Sequence, residues 1–146
     1  MKSQYRQIRA KQLSRSLDWF KEAKAVARPS RGWLRAVREA LGISAEEVGR
    51  LTRTTRQGIH WFETAEAEDR ITLKNLRRVA EAMGCELVYA IVPKSGSIEN
   101  LADQRARSKA TKRVLSVEHS MALEDQTSGG VRELIDEETK RIIKKS

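Results

Sequence analysis

The sequence predicts a mainly α-helical protein with one short strand. Four consecutive segments between residues 32 and 84 carry apolar residues at helical spacing, with residues that favour helix starts and stops at their ends. One segment, at about residues 86–92, alternates as a strand does and is closed by Pro93. Further helical patterns precede and follow this region. We therefore expect a four-to-five-helix central domain with a helical extension on each side.

Two of the central helices lie within residues 44–63 and are joined by a short turn. Ser44 and Thr55 precede these helices, and each offers a side-chain oxygen that can cap the N–H groups of the first turn. Gly49 lies where two steeply crossing helices leave little room for a side chain. The predicted inward-facing apolar residues of the pair are Val48, Leu51, Ile59 and Phe62.

The second helix of this pair begins with Arg56 and Gln57. A guanidinium and an amide suit the edges of guanine and adenine, and a helix-turn-helix presents the start of its second helix to the major groove. Arg50 and Arg53 lie around the turn, where they and Ser44 are expected to hold backbone phosphates. The pattern predicts a sequence-specific DNA reader.

An αα-hairpin with a polar turn would show a similar pattern. The flanking segments favour the helix-turn-helix domain over such a hairpin. A helix over residues 32–42 precedes the pair and stops at Gly42. A helix over residues 72–84 follows, with Thr72 as its N-cap and Gly84 as its stop. Four short helices of this kind can enclose a small core. The predicted core residues of the two flanking helices are Leu34, Val37, Leu41, Leu73, Leu76, Ala80 and Met83.

The charge of the chain favours a polyanionic partner. Its formal net charge is +9 and its pI is about 10.1. Residues 1–31 hold nine Lys or Arg against two acidic residues, so they form a basic N-terminal helical arm. Two interpretations stay open for this arm: its apolar stripe packs on the core with the charges solvated, or its cations hold phosphates. The stripe is Ala10, Leu13, Leu17, Phe20 and Ala27, and the cations are Arg6, Arg9, Lys11 and Arg15.

The strand at about residues 86–92 has no second strand in the chain to pair with. Backbone N–H and C=O groups that stay unpaired are costly when buried. The economical solution is antiparallel pairing with the same strand of a second copy across a two-fold axis. The sequence therefore predicts a homodimer, and a two-fold symmetric operator whose half-sites lie about one helical turn (~10 bp), or a multiple of it, apart.

The C-terminal third reads as a helical extension that follows a short linker at residues 94–97. A long helix is predicted over residues 98–126, and a break at residues 127–130 separates it from a final charged helix. This extension is either a dimerisation arm or a docking surface for another protein. The predicted organisation is a basic arm at 1–31, a helix-turn-helix domain with its terminal strand at 32–93, and the extension at 94–146.

Several classes of protein are excluded by what the sequence lacks. It has no apolar run of about 18 residues and no signal peptide, so we expect a cytoplasmic protein without a membrane partner. It has no phosphate-binding or dinucleotide-binding motif and no catalytic triad pattern, so we expect neither an enzyme nor a cofactor. No Cys, Asp or second His lies at metal-ligand spacing from His60, so we expect a phosphate or solvent contact there and place His60 among the phosphate-binding residues.

Three segments of the chain together resemble the family called mobile mystery protein A. They are Arg28–Arg35 (RPSRGWLR), Cys85–Pro93 (CELVYAIVP) and His119–Gln126 (HSMALEDQ), and they flank a helix-turn-helix of the XRE and phage-repressor type. Members of that family are usually encoded beside a Fic-domain protein, mobile mystery protein B. The resemblance implies a regulator or antitoxin-like partner of the Fic-domain protein, and we expect the DNA reader predicted above to repress its own operon. The alternative is a protein-binding antitoxin that neutralises a Fic AMP-transferase directly, with DNA binding secondary.

In the wider repressor group, bases are read by the first residues of the second helix and by one residue a turn later. The resemblance therefore implies base-reading roles for Thr55, Arg56, Gln57 and Trp61. Trp61 is larger than usual for such a position. Two interpretations stay open: its side chain contacts a thymine methyl or sugar edge, or it folds back onto the protein. The segment 52–54 (TRT) also departs from the usual Leu-Gly-Val turn.

Overall fold

The computed structural model describes residues 2–121 and 128–145. Within those ranges the chain forms seven α-helices, and a short 3₁₀ turn at Glu22–Ala25 follows the first. Two compact units result: a central unit, Lys24–Tyr89, and a terminal unit made by the chain up to Ala23 and from Ala90 onward. The helices are α1 (Lys2–Lys21), α2 (Trp33–Ala40), α3 (Ala45–Thr52), α4 (Arg56–Ala67), α5 (Leu73–Ala82), α6 (Ile98–Met121) and α7 (Ser128–Lys145).

Helices α2 to α5 of the central unit surround one small core, as predicted. Its fully buried side chains are Val48, Ile59 and Val79. Phe62 and Leu76 are partly buried and pack against them. Each helix contributes one apolar stripe to the core. Because the helices are short, they are stabilised by this tertiary packing rather than by intrinsic helix propensity.

The predicted N-caps of this unit are confirmed. The Ser44 hydroxyl accepts a hydrogen bond from the Glu47 N–H at 3.1 Å, and Thr55 accepts one from Gly58 at 3.0 Å. Thr72 accepts the N–H of Asn75 at 3.1 Å. Each bond satisfies a donor that the first helical turn leaves without a backbone partner.

Three leucines assigned to the core are exposed instead. Leu41 is 52% exposed because it lies at the C-cap, beyond the last residue of α2. Leu51 is 60% exposed because α3 buries Ala45, Val48, Gly49 and Thr52, a face one residue away from Leu51. Leu73 is 47% exposed at the first position of α5, before that helix's buried stripe begins.

The strand predicted at residues 86–92 is not formed in the described part of the chain, where no strand is assigned. A strand needs a second extended backbone beside it, and residues 2–121 and 128–145 are otherwise helical or in short connections. The segment leaves Val88 67% and Ile91 85% exposed to solvent. The antiparallel dimer that would complete the strand stays a prediction.

The terminal unit is built by α1, α6 and α7. Ala106 and Ala110 of α6 pack with Ile142 of α7 in a small buried cluster. Ion pairs join the same two helices at their exposed edges: Arg107 with Asp136 at 2.9 Å, and Arg113 with Glu138 at 3.0 Å. Helix α1 contacts both α6 and α7. The N- and C-terminal segments, predicted as separate extensions, therefore fold together.

The terminal helices differ in detail from the prediction. Helix α1 ends at Lys21, earlier than the expected 27, and of its predicted stripe only Leu17 is buried, whereas Leu13 is 48% exposed. Helix α7 already begins at Ser128, inside the predicted break, and includes Gly129 and Gly130 although glycine disfavours a helix. Residues 122–127, with part of the tail motif and part of that break, lie outside the described residues. No described helix is long and apolar enough to cross a membrane.

Candidate nucleic-acid interface

The turn between α3 and α4 is held by close backbone contacts. The Thr54 N–H donates to the Gly49 carbonyl at 2.8 Å. A Cβ on Gly49 would lie 3.0 Å from the Thr54 carbonyl oxygen and 3.1 Å from the Thr55 carbonyl carbon. Only glycine therefore allows the turn to approach α3 this closely.

Hydroxyl groups and a left-handed residue replace the Leu-Gly-Val turn typical of the repressor group. The Thr52 hydroxyl is buried, donates to the Val48 carbonyl at 2.8 Å and lies 2.8 Å from the Thr54 hydroxyl. Arg53 has φ 57° and ψ 39°, a conformation that costs a non-glycine residue about 1 kcal/mol or more. The guanidinium of Arg78 donates to the Thr52 carbonyl and so ties α5 to this turn.

The predicted base-reading residues lie at the start of α4. Thr55 is the N-cap, Arg56 and Gln57 are the first two helical residues, and all three are exposed. Trp61 lies one turn beyond Gln57 and therefore on the same side of the helix. Its ring makes an edge-on contact with Phe62, with centroids 5.6 Å apart, but the residue is 55% exposed and does not fold back into the core.

The predicted phosphate-binding residues differ in their exposure and in the protein groups that they already contact. Arg50 and Arg53 are exposed, and the only described ion-pair partner of Arg50 is Glu46 at 4.0 Å. Ser44 is exposed but its hydroxyl already caps α3. His60 is partly exposed, and its Nδ1 lies 3.5 Å from the carboxylate of Glu63, so one face of the imidazole is directed to the protein.

The N-terminal end of α4 is electropositive for two reasons. The backbone N–H groups of a helix's first turn carry the positive end of the helix dipole. Arg53 and Arg56 lie beside them, and neither forms an ion pair with any residue that the structure describes. This end of α4 therefore carries positive charge that no described carboxylate neutralises.

A buried ion pair behind this surface was missed by the sequence analysis. Arg38 of α2 donates from Nε to Glu63 of α4 at 2.5 Å, and a second nitrogen donates to the other carboxylate oxygen at 3.3 Å. A third guanidinium bond goes to the Ile43 carbonyl at 3.2 Å. The hydrogen bond to Glu63 raises the pKa of Arg38 above its ordinary value, against the opposite effect of burial.

A second buried carboxylate, Glu66, caps α2 from outside. Its oxygens accept the N–H groups of Trp33 at 2.9 Å and Leu34 at 3.2 Å, because the preceding residue, Gly32, has no side chain to do so. Arg28 donates to the Glu66 and Ala67 carbonyls at the end of α4. In the sequence, only the lack of a capping side chain at Gly32 indicated that a distant residue such as Glu66 would cap α2.

Residues 34–89 match the family model for the helix-turn-helix. The match spans helices α2 to α5 and the segment after them. No curated protein and no solved structure matches the chain. The likeness to mobile mystery protein A is not among the matches and stays a prediction. Residues 34–89 are thus a helix-turn-helix domain of the XRE type.

Proposed function

We propose that the chain is a sequence-specific transcriptional regulator that represses its own operon. The observation that carries this proposal is the exposed pair Arg56 and Gln57 at the electropositive start of α4, within a helix-turn-helix domain of the XRE type. A side chain that reads bases must be free of protein partners and must project from the end of the helix that enters the groove. Both conditions are met by this pair.

The roles of the individual side chains follow from their chemistry. Arg56 donates two hydrogen bonds to a guanine, and Gln57 pairs with an adenine. The Thr55 hydroxyl lies beside the same bases, and the exposed apolar surface of Trp61 contacts a thymine methyl group or a sugar edge. Arg50 and Arg53 hold backbone phosphates and fix the position of the domain on the duplex.

Ser44 and His60 have lesser roles in this proposal. The Ser44 hydroxyl serves mainly as the cap of α3. His60 contributes to phosphate binding with the side of its ring that faces away from Glu63.

A second copy of the chain completes the regulator in this proposal. Support comes from the segment 86–92, whose backbone has no ladder partner in the described residues and whose Val88, Tyr89 and Ile91 are exposed. Antiparallel pairing of two such segments would satisfy their backbone N–H and C=O groups and relate two copies of α4 by a two-fold axis. Sedimentation equilibrium should then give a dimer for the wild type. A Val88→Pro variant, which loses a backbone donor, should shift toward monomer, whereas a wild-type monomer at micromolar concentration would exclude the arrangement.

Footprinting on the DNA upstream of the chain's own gene tests the regulatory role. The full chain should protect a two-fold symmetric site in that DNA and reduce expression of a reporter placed behind it. Protection without a preferred sequence, or protection only at unrelated loci, would argue against autorepression.

The role as a partner of a Fic-domain protein is supported only by the resemblance to mobile mystery protein A. We keep it as the second role of the same chain, with residues 98–146 holding the partner. Coexpression of the full chain with the neighbouring gene product, followed by size-exclusion chromatography, should give a stable complex. Separate elution of the two proteins would leave DNA regulation as the sole function.

A further inference from the structure

The terminal unit contains an open groove of about 750 Å³ along α1 and α6, with the end of α7 in its floor. Small-molecule sites typically occupy about 300–1,000 Å³, and they are mostly apolar with a few polar groups. Gaps left by ordinary side-chain packing are far smaller, since protein interiors are packed as densely as organic crystals. The groove is therefore of a size to hold a ligand.

The floor of the groove is apolar and built by all three helices. Ile8 of α1 and Ala102 of α6 line it, together with Ala106, Ile142 and Ile143 from the buried cluster of the unit. Ile8 is 50% exposed although it belongs to this apolar surface. Because α6 contributes two alanines at this point, short side chains leave space that a ligand's hydrocarbon body can fill.

The rim of the groove is positively charged. Arg6, Lys11, Arg105 and Lys109 line it against two carboxylates, Glu99 and Asp103. None of the four cations forms an ion pair with a residue in the described ranges 2–121 and 128–145. Some other cations of the unit do find partners, whereas Arg15 and Lys112, for example, form no ion pair with a described residue.

The charges around the groove indicate the sign of a ligand that would fit it. Arg107 and Arg113 are held by carboxylates of α7, and Lys21 by Asp18. Around the groove, however, Arg105 and Lys109 lie four residues apart on one side of α6 with no carboxylate in contact. Two positive charges beside an apolar floor favour a ligand with one acidic group.

We infer that this groove binds a small amphipathic anion, with its acyl or aryl body on the apolar floor and its carboxylate or phosphate held by Arg105 and Lys109. Arg6 and Lys11 on α1 add to the positive field from the opposite side. The site lies wholly within the terminal unit and does not depend on the proposed DNA function.

Calorimetric titration of the full chain tests the inference with four ligands that share one decyl chain. Decanoate and decyl phosphate should bind with one site per chain, and the stronger of the two identifies the acidic group that fits. Decanol should bind at least about tenfold more weakly, and decyltrimethylammonium should not bind. Failure of both anions to bind, or equal binding of decanol, would overturn the inference.

Variants locate the site. Reversing both charges of α6 (Arg105→Glu with Lys109→Glu) should reduce decanoate affinity by about tenfold or more, whereas the matched control Lys112→Glu, an exposed lysine of α6 outside the groove, should leave it unchanged. Ala102→Leu should reduce affinity by filling the floor. Equal loss in the control variant would contradict the assignment.

A measurement on the wild type keeps the test independent of folding defects in the variants. With methyl-labelled isoleucine, decanoate should shift the NMR signals of Ile8, Ile142 and Ile143 and leave Ile43, Ile59 and Ile71 of the central unit in place. Shifts confined to the central unit would overturn the inference.

Discussion

Arg38 and Glu63 form a two-point ion pair that joins α2 to α4, the second helix of the helix-turn-helix. Their side chains are 11% and 4% exposed, so water does not compete effectively for either charge. The pair fixes how α4 packs against α2 within the central unit. It also makes the central unit sensitive to the loss of either partner.

Removing one partner of this pair should destabilise the central unit strongly. Glu63→Leu leaves the Arg38 guanidinium buried without its counter-charge, and we expect a loss of about 3–5 kcal/mol in the free energy of unfolding. The double variant with Arg38→Met should recover most of that loss because no charge stays buried. Urea denaturation of the wild type, both single variants and the double variant measures this. Additive losses in the double variant would mean that the two side chains do not act as a pair.

Replacing Gly32 with alanine should be costly for two separate reasons. Gly32 has φ +88°, and a Cβ there would collide with the Glu66 carboxylate that caps α2. Gly42 has φ +67° with nothing within 4 Å of its Cβ position, so Gly42→Ala measures the conformational cost alone, about 1 kcal/mol. We expect Gly32→Ala to lose at least about 1 kcal/mol more, because its backbone (φ 88°, ψ 163°) lies in a region that essentially only glycine adopts and because the cap is displaced. Equal losses in thermal denaturation would show that neither effect operates.

Replacing Arg53 with glycine should move stability and DNA affinity in opposite directions. Glycine adopts the left-handed conformation of this turn without strain, so the variant should gain about 1 kcal/mol of stability. It should also bind DNA more weakly and lower the slope of log affinity against log salt by about 1, because one phosphate contact is lost. Denaturation and fluorescence anisotropy over a salt series check both effects. An unchanged salt slope would remove Arg53 from the interface.

Two equivalent threonine N-caps allow the effect of a substitution on stability to be distinguished from its effect on DNA affinity. Thr55→Ala and Thr72→Ala each remove one N-cap bond of about 3.0–3.1 Å and should each cost about 1 kcal/mol of stability. Only Thr55 lies at the start of α4, so only its variant should also lose affinity for the operator. Parallel denaturation and binding titrations make the comparison. A similar loss of affinity in both variants would attribute the effect to stability.

The turn and the caps of the central unit could be predicted because they depend on neighbours a few residues away. Ser44, Thr55 and Thr72 each bond to an N–H three positions later, and Gly49 meets the turn within six positions. Local sequence contains all the groups involved. The start of α4, where the predicted base-reading residues lie, could be located for the same reason.

The features that could not be predicted depend on groups far apart in the chain. Arg38 and Glu63 are 25 positions apart, and the sequence alone gave no reason to pair them rather than leave both in solvent. In the sequence, Leu51 fits the apolar stripe of α3 as well as Thr52 does. Which of the two faces is buried depends on how α3 packs against the other helices. The alternation at 86–92 predicted a strand that the described residues do not form, because no second extended segment lies beside it.

Binding of wild-type and variant chains to an operator selected from random DNA tests the account most directly. Arg56→Ala should lose about 1–3 kcal/mol on the selected operator and relax the preference at one base pair, with little change on random DNA. The matched control Arg70→Ala, an exposed arginine beyond the opposite end of α4, should leave both affinities unchanged. An equal loss on operator and random DNA for Arg56→Ala would contradict base reading by the start of α4.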